Sequence, residues 1–198
     1  MKAKARLVRQ GLRAAGALLL AVAGNAWCCG LEDPASVASQ RGMMNLAFPQ
    51  SAYVRTAIWQ AQLAGELPPS DALQRDGLTP QARGALQRMR ANVLLQRLAA
   101  RLSALPEAAD APSLAIVLMG PMLWSRLEAF DGKVQAQVHV AGPEPGDLVL
   151  VTDTPGLEAI AVGGMDFARA AELGVLRLYG PAAQLDLLQL RLTSGIAK

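Results

Sequence analysis

The chain has 198 residues, of which 52% are hydrophobic, 18% charged and 4% aromatic. That apolar content suffices for a packed core without staples and excludes a chain that is mainly disordered. The formal charge of +3 does not indicate nucleic-acid binding: with the five basic residues of 1–26 set aside, 14 of the 19 basic residues remain against 16 acidic ones.

Lys2, Lys4, Arg6, Arg9 and Arg13 precede an apolar run from Ala14 to Ala23, shorter than the roughly 20 residues that span a bilayer. Gly24 and Ala26 then supply the small residues of a signal-peptidase site. Residues 1–26 read as a secretory signal peptide cleaved after Ala26, and a bacterial periplasmic location follows. An uncleaved anchor is the alternative.

Cleavage there leaves Trp27-Cys28-Cys29 at the new N-terminus, with the only two cysteines of the chain adjacent. Neighbouring Cα atoms lie about 3.8 Å apart, below the roughly 4.4 Å that a relaxed disulfide requires. Acylation of one cysteine, a soft-metal site with Met43 and Met44, an intermolecular disulfide, or no role at all remain open. One histidine, His139, and the lack of a Cys-x-x-Cys pair exclude a structural zinc site. No metal site and no cofactor are assigned.

Residues 27–78 form an N-terminal helical extension. A loop-like stretch from Gly30 to Gly42 precedes a helix opened by Pro49-Gln50-Ser51 and closed by Gly65. Its apolar positions are Ala52, Val54, Ala57, Ile58, Trp59, Ala61 and Leu63, with Tyr53 and Trp59 as expected anchors on the rest of the fold. Pro68-Pro69-Ser70 and Asp76-Gly77 mark the connector that follows.

Residues 79–198 form the main domain. Thr79-Pro80 is an N-cap followed by proline at the first helical position, opening a long helix to about Leu105. Leu86, Met89, Val93, Leu98, Leu102 and Leu105 recur at helical spacing and predict a buried stripe. The same stretch carries Arg83, Arg88, Arg90, Arg97 and Arg101 and no acidic residue. That face is either simply solvated or, through Arg83, Arg90, Arg97 and Arg101, a surface for an anionic membrane or an acidic protein partner.

Past residue 112 the period changes. Leu114–Met119 is a continuous apolar run and predicts a buried strand; Met122–Phe130 predicts the next, and Asp131-Gly132 a tight hairpin. Lys133–Val140 alternates, with Val134, Ala136, Val138 and Val140 on one side. A fourth strand spans Leu148–Thr152. Thr154-Pro155 starts a short helix ending near Gly163-Gly164, and Asp166 caps another. Val175–Tyr179 predicts a fifth strand and Pro181 a terminal helix with Leu185, Leu188 and Leu192 on one stripe. The fold class is α+β: a five-stranded, mainly antiparallel sheet covered by helices.

This order from Thr79 to Leu192 resembles the type-two sterol carrier protein domain, the nonspecific lipid-transfer family. The similarity is carried by Asp131-Gly132-Lys133, by Gly142-Pro143 with Asp147-Leu148-Val149-Leu150, by Asp153 to Gly163, and by Gly174-Val175-Leu176-Arg177-Leu178-Tyr179-Gly180. Tyr179 beside Gly180 and the basic helix depart from the pattern, and 27–78 lie outside it. The resemblance implies an apolar tunnel between sheet and helices that holds an acyl, sterol-like or quinone-type lipid without chemistry. Independently, Met119, Met122, Met165, Phe167, Leu185 and Leu188 supply flexible, apolar side chains for such a layer, or else fill an ordinary core.

No constellation for catalysis is evident. His139 falls on the polar side of its strand, Ser125 lacks an evident base, and Gly163-Gly164 is not followed by the Lys-Ser/Thr of a phosphate loop. Asp153 and Asp166 sit where helix capping accounts for them. The expected function is therefore non-catalytic binding of a hydrophobic ligand; the alternative is a periplasmic accessory protein docking through the arginine helix, with soft-metal handling by Cys28 and Cys29 a further possibility.

Overall fold

A computed structural model describes residues 34–69, 78–105 and 112–194, the side chains only as far as residue 188 in the last stretch. The signal-peptide reading and Cys28 and Cys29 lie outside the described residues, as does the Asp76-Gly77 connector. The helices are α1 (Pro34–Ala47), α2 (Tyr53–Leu63), α3 (Pro80–Ser103), α4 (Thr154–Ala161), α5 (Phe167–Glu172) and α6 (Ala182–Ser194). The strands are β1 (Leu114–Leu118), β2 (Leu123–Phe130), β3 (Lys133–Val138), β4 (Leu148–Thr152) and β5 (Arg177–Tyr179).

The five strands form one sheet in the order β3-β2-β1-β4-β5. The meander β1-β2-β3 is antiparallel, β4 lies parallel to β1, and β5 is antiparallel to β4. The sheet is thus mixed, with a single parallel pairing at its centre. Asp131 and Gly132 both adopt positive φ (48° and 71°), the type I′ geometry whose twist suits a two-residue hairpin. β3 ends at Val138, two residues sooner than its alternation predicts, because His139 turns to φ 74°. β5 is likewise shorter than Val175–Tyr179: the Val175 and Leu176 amides bond the Ala170 carbonyl instead of a strand.

Strand register defines two faces. Ser125 pairs with both Ile116 and Val138, Ile116 with Leu150, and Leu150 with Leu178, so these five share one row on one face. Trp124, Val117, Val151 and Arg177 form the adjacent row on the other. α3 runs along the edge strand β3, and its Ser103 Oγ accepts from the Val134 amide at 2.8 Å. That bond occupies a donor the edge would otherwise expose. α4 packs on α3, held by the Arg90–Glu158 ion pair and by Arg101 donating to the Ile160 carbonyl. Gly156 of α4 lies directly over the Thr152 hydroxyl. The helices α3 and α4 therefore close over the Ser125 face.

On the opposite face, Phe48 packs its ring on Trp124 (centroids 6.2 Å apart) and on Tyr179 (5.3 Å). The sheet is covered on both sides, and Ala115, Val117 and Val151 at its centre are wholly buried.

Three expectations are corrected. The stretch expected to be a loop up to Gly42 is helical from Pro34, because Val37 and Met44 bury against the core and outweigh the cost of a helical glycine. Tyr53 and Trp59 are exposed; Val54, Ile58 and Ala61 anchor α2 instead. On α3 the buried face is Ala91, Leu94, Leu95, Leu98 and Ala99, whereas Met89 and Val93 face solvent. Both stripes have helical spacing, but alanines let the backbone approach its neighbours, and packing chose that face.

Candidate ligand-binding layer

The six apolar candidates enter from three places. Met119 and Met122 flank the β1–β2 turn and are buried. Met165 and Phe167 are buried in the α4–α5 connection, where the Met165 amide bonds the Ala159 carbonyl and Asp166 caps α5 by accepting from Arg169 N at 2.6 Å. Leu188 is buried and Leu185 half-buried on α6, which packs on α5. Leu192 lies among the residues whose side chains are not described. The structure thus brings Met165, Phe167, Leu185 and Leu188 into one neighbourhood, α5 and its partners, and puts the two turn methionines at the end of β1.

That turn is clamped. The Met119 amide donates to Thr152 O at 2.8 Å. Arg41, projecting from α1, donates through Nε to the Met119 carbonyl at 2.7 Å and through its second amino group to Gly120 O. Asp153 caps α4 by accepting from Thr154 N at 2.8 Å, and its Oδ2 lies 3.5 Å from Arg55 Nε. A Cβ on Gly120 would lie 2.7 Å from Asp153 Oδ1, so only glycine lets the carboxylate reach the turn. Burial pushes the Asp153 carboxyl above its usual range; the Thr154 amide, Arg55, the Gly120 amide and Arg41 draw it back only in part. Burial and the neighbouring Arg55 lower Arg41 against the pull of Asp153.

A second polar cluster pins the loop before β4. Asp147 accepts from Ser113 Oγ, from Arg126 at 3.0 Å and from the Glu144 amide at 2.8 Å. Burial acts to raise this carboxyl, and those hydrogen bonds with the Arg126 charge outweigh it, holding it below the ordinary value. Arg126 also reaches Glu144 at 2.6 Å. Burial works against its cation, and Asp147 and Glu144 more than restore it.

Of the four arginines expected to form a docking surface, two are engaged within the fold: Arg90 with Glu158 and Arg101 with Ile160 O. Arg83 and Arg97 are exposed. Among the described residues no group of three or more His, Cys, Asp and Glu could hold a metal ion, and no helix is long and apolar enough to cross a membrane.

Sequence reasoning missed Arg41, Arg55 and Ser125 as parts of this region. Arg41 carries no local signal, since its acceptors lie 78 and 79 residues away. Ser125 did carry one: it is the only hydroxyl at an inward position of Leu123–Phe130, a strand whose burial alternates.

No family model matches the chain, and no curated protein matches it significantly. Among solved structures it is similar to sterol carrier protein 2 like 2 from Aedes aegypti, at 20% identity and a TM-score of 0.38, covering 51% of this chain and 94% of that one. It is also similar to the stereoselective inverting sec-alkylsulfatase Pisa1 from Pseudomonas sp., at 16% identity and a TM-score of 0.35. That match covers 81% of this chain and only 30% of the sulfatase.

Proposed function

We propose that this protein is an exported, non-catalytic binder of a hydrophobic small molecule, held between the sheet and the helices over its Ser125 face. The observation that carries this reading is where the motifs of the sterol carrier resemblance fall in the folded chain. Asp131-Gly132 makes the hairpin, Leu148–Thr152 is the strand after the Gly-Pro loop, and Gly163 and Gly174 end α4 and α5 at φ 80° and 72°. Turn chemistry, strand order and helix ends agree with one arrangement. The flexible Met119, Met122 and Met165 suit a layer that must accommodate a ligand of variable shape.

The test is organic extraction of protein purified from its native host, with mass spectrometry of both extract and protein. A single class of lipid-like molecule in the extract is expected, together with a mature N-terminus at Trp27. An empty extract, with no binding of an acyl chain, a sterol or a quinone by the purified protein, would remove the carrier reading. A retained Met1 would remove export, and a lipid-modified Cys29 would favour an acylated protein.

The exposure of Arg83 and Arg97 favours a second reading, in which α3 docks on an anionic surface.

A further inference from the structure

Ser125 is the exception within the row Val138-Ser125-Ile116-Leu150-Leu178. It is 1% exposed, and its Oγ has no hydrogen-bond partner among the described residues. Its neighbours along and across the strands, Leu123, Leu127 and Ile116, are buried to the same degree and wholly apolar. Buried hydroxyls are ordinarily satisfied, because leaving one without a partner forfeits the bonds it made to water. An alanine here would fold more favourably. The hydroxyl is therefore a cost to the folded protein, set on the face that α3 and α4 cover.

Resting on the carrier reading, we propose that Ser125 is the polar contact for the bound ligand, and that this ligand ends in an uncharged oxygen, a hydroxyl or a carbonyl. The hydroxyl can donate to a carbonyl or either donate to or accept from an alcohol, so one Ser125 serves sterol-like, long-chain alcohol and quinone-type heads alike. It does not suit a carboxylate. Strand alternation sends the two arginines of the sheet, Arg126 and Arg177, to the opposite face. Arg90 and Arg101, on the helix above, are held by Glu158 and Ile160 O. A free fatty acid with its head at Ser125 would bury its charge among the apolar Leu123, Leu127 and Ile116.

The experiment uses a pyrene-labelled long-chain alcohol and the pyrene-labelled fatty acid of the same chain, titrated at a pH where the acid is ionised. The wild-type chain is expected to bind the alcohol more tightly. Ser125→Ala should weaken alcohol binding roughly tenfold, the order of one buried hydrogen bond, while its melting temperature stays level or rises. Ser125→Cys, similar in shape with a weaker donor, should behave the same way and covers the case in which the alanine variant folds poorly. Unchanged alcohol affinity in either folded variant overturns the role of Ser125 while leaving the carrier reading intact. Tighter binding of the acid overturns the uncharged head. Failure of the wild type to bind either probe removes the carrier reading itself, and this proposal with it.

Discussion

The Arg41 guanidinium on α1 donates at 2.7 Å to the main-chain carbonyl of Met119, 78 residues further along the chain. Through this contact the N-terminal extension holds the turn between β1 and β2, where two of the candidate ligand-layer methionines sit. The Glu66–Arg169 ion pair (2.8 Å) and the Tyr179 hydroxyl donating to Pro49 O (2.7 Å) tie the extension to α5 and β5 as well. Residues 34–69 are integral to the fold around the layer.

Arg41→Ala should therefore loosen the turn from a distance. Hydrogen bonds from a charged donor contribute about 1.5–3 kcal/mol each, and the loss is partly offset by relief of repulsion from Arg55. A net destabilisation of about 2 kcal/mol is expected, read as a fall in melting temperature. Hydrogen exchange should accelerate at 119–122 and in α1 together. Acceleration confined to α1 would show that the turn stands without the clamp.

Gly120→Ala tests the same region from the other side. The added methyl would meet the Asp153 carboxylate at 2.7 Å, and that carboxylate cannot swing away without leaving the Thr154 amide. A cost of about 1–3 kcal/mol is expected from overpacking and the weakened cap. A variant as stable as the wild type in urea denaturation would mean that the carboxylate relaxes freely.

Asp147 makes stability depend on acid. Its folded-state pKa is depressed, so the folded protein binds the proton less readily than the unfolded chain does. The resulting stabilisation is present above the ordinary carboxylate range, around pH 4, and is lost as pH falls through the lower folded value. Asp147→Asn should be less stable than the wild type near pH 7, with the difference shrinking as the pH falls below 4. A gap that stays constant from pH 7 to pH 3 would show that Asp147 acts through packing alone.

Leu188→Trp probes the layer from α6. Leu188 is 6% exposed, and enlarging a filled core typically costs about 1–3 kcal/mol. If the layer opens for a ligand, the indole should take that space, abolishing binding of the pyrene-labelled alcohol with little change in melting temperature. Marked destabilisation, with wild-type binding undetectable, would identify these side chains as ordinary core.

The docking reading rests on Arg83 and Arg97. Changing both to Gln should weaken sedimentation with anionic liposomes, at about 1 kcal/mol per charge near such a surface, and added salt should erase the difference between the two proteins. Changing Arg90 to Gln should instead lower stability, since it removes a partner of Glu158. No detectable liposome binding by the wild type would end this reading.

Apart from α1, whose first turns read as a loop up to Gly42, the elements were legible in the residues. Thr79-Pro80 opens α3 with the Thr79 hydroxyl accepting from Ala82 N, Asp131-Gly132 folds the hairpin, and the all-apolar β1 and the β4 run, apolar up to Thr152, are buried at every position. These are local matters: a cap, a turn or an apolar run acts within a few residues, so it can be read from neighbours in the chain. What tertiary structure alone decided is which of two plausible faces each element turns inward. Trp59 and Met89 are more apolar than Ala61 and Ala91, yet the alanines are buried, because close approach of backbones excludes the larger side chains. Likewise, nothing local marks Arg41 as the partner of Met119, or shows that Ser125 has no hydrogen-bond partner among the described residues. Those facts exist only once the register of β1 and β2 and the positions of α1 and α3 are set, since a contact across 78 residues is decided by packing.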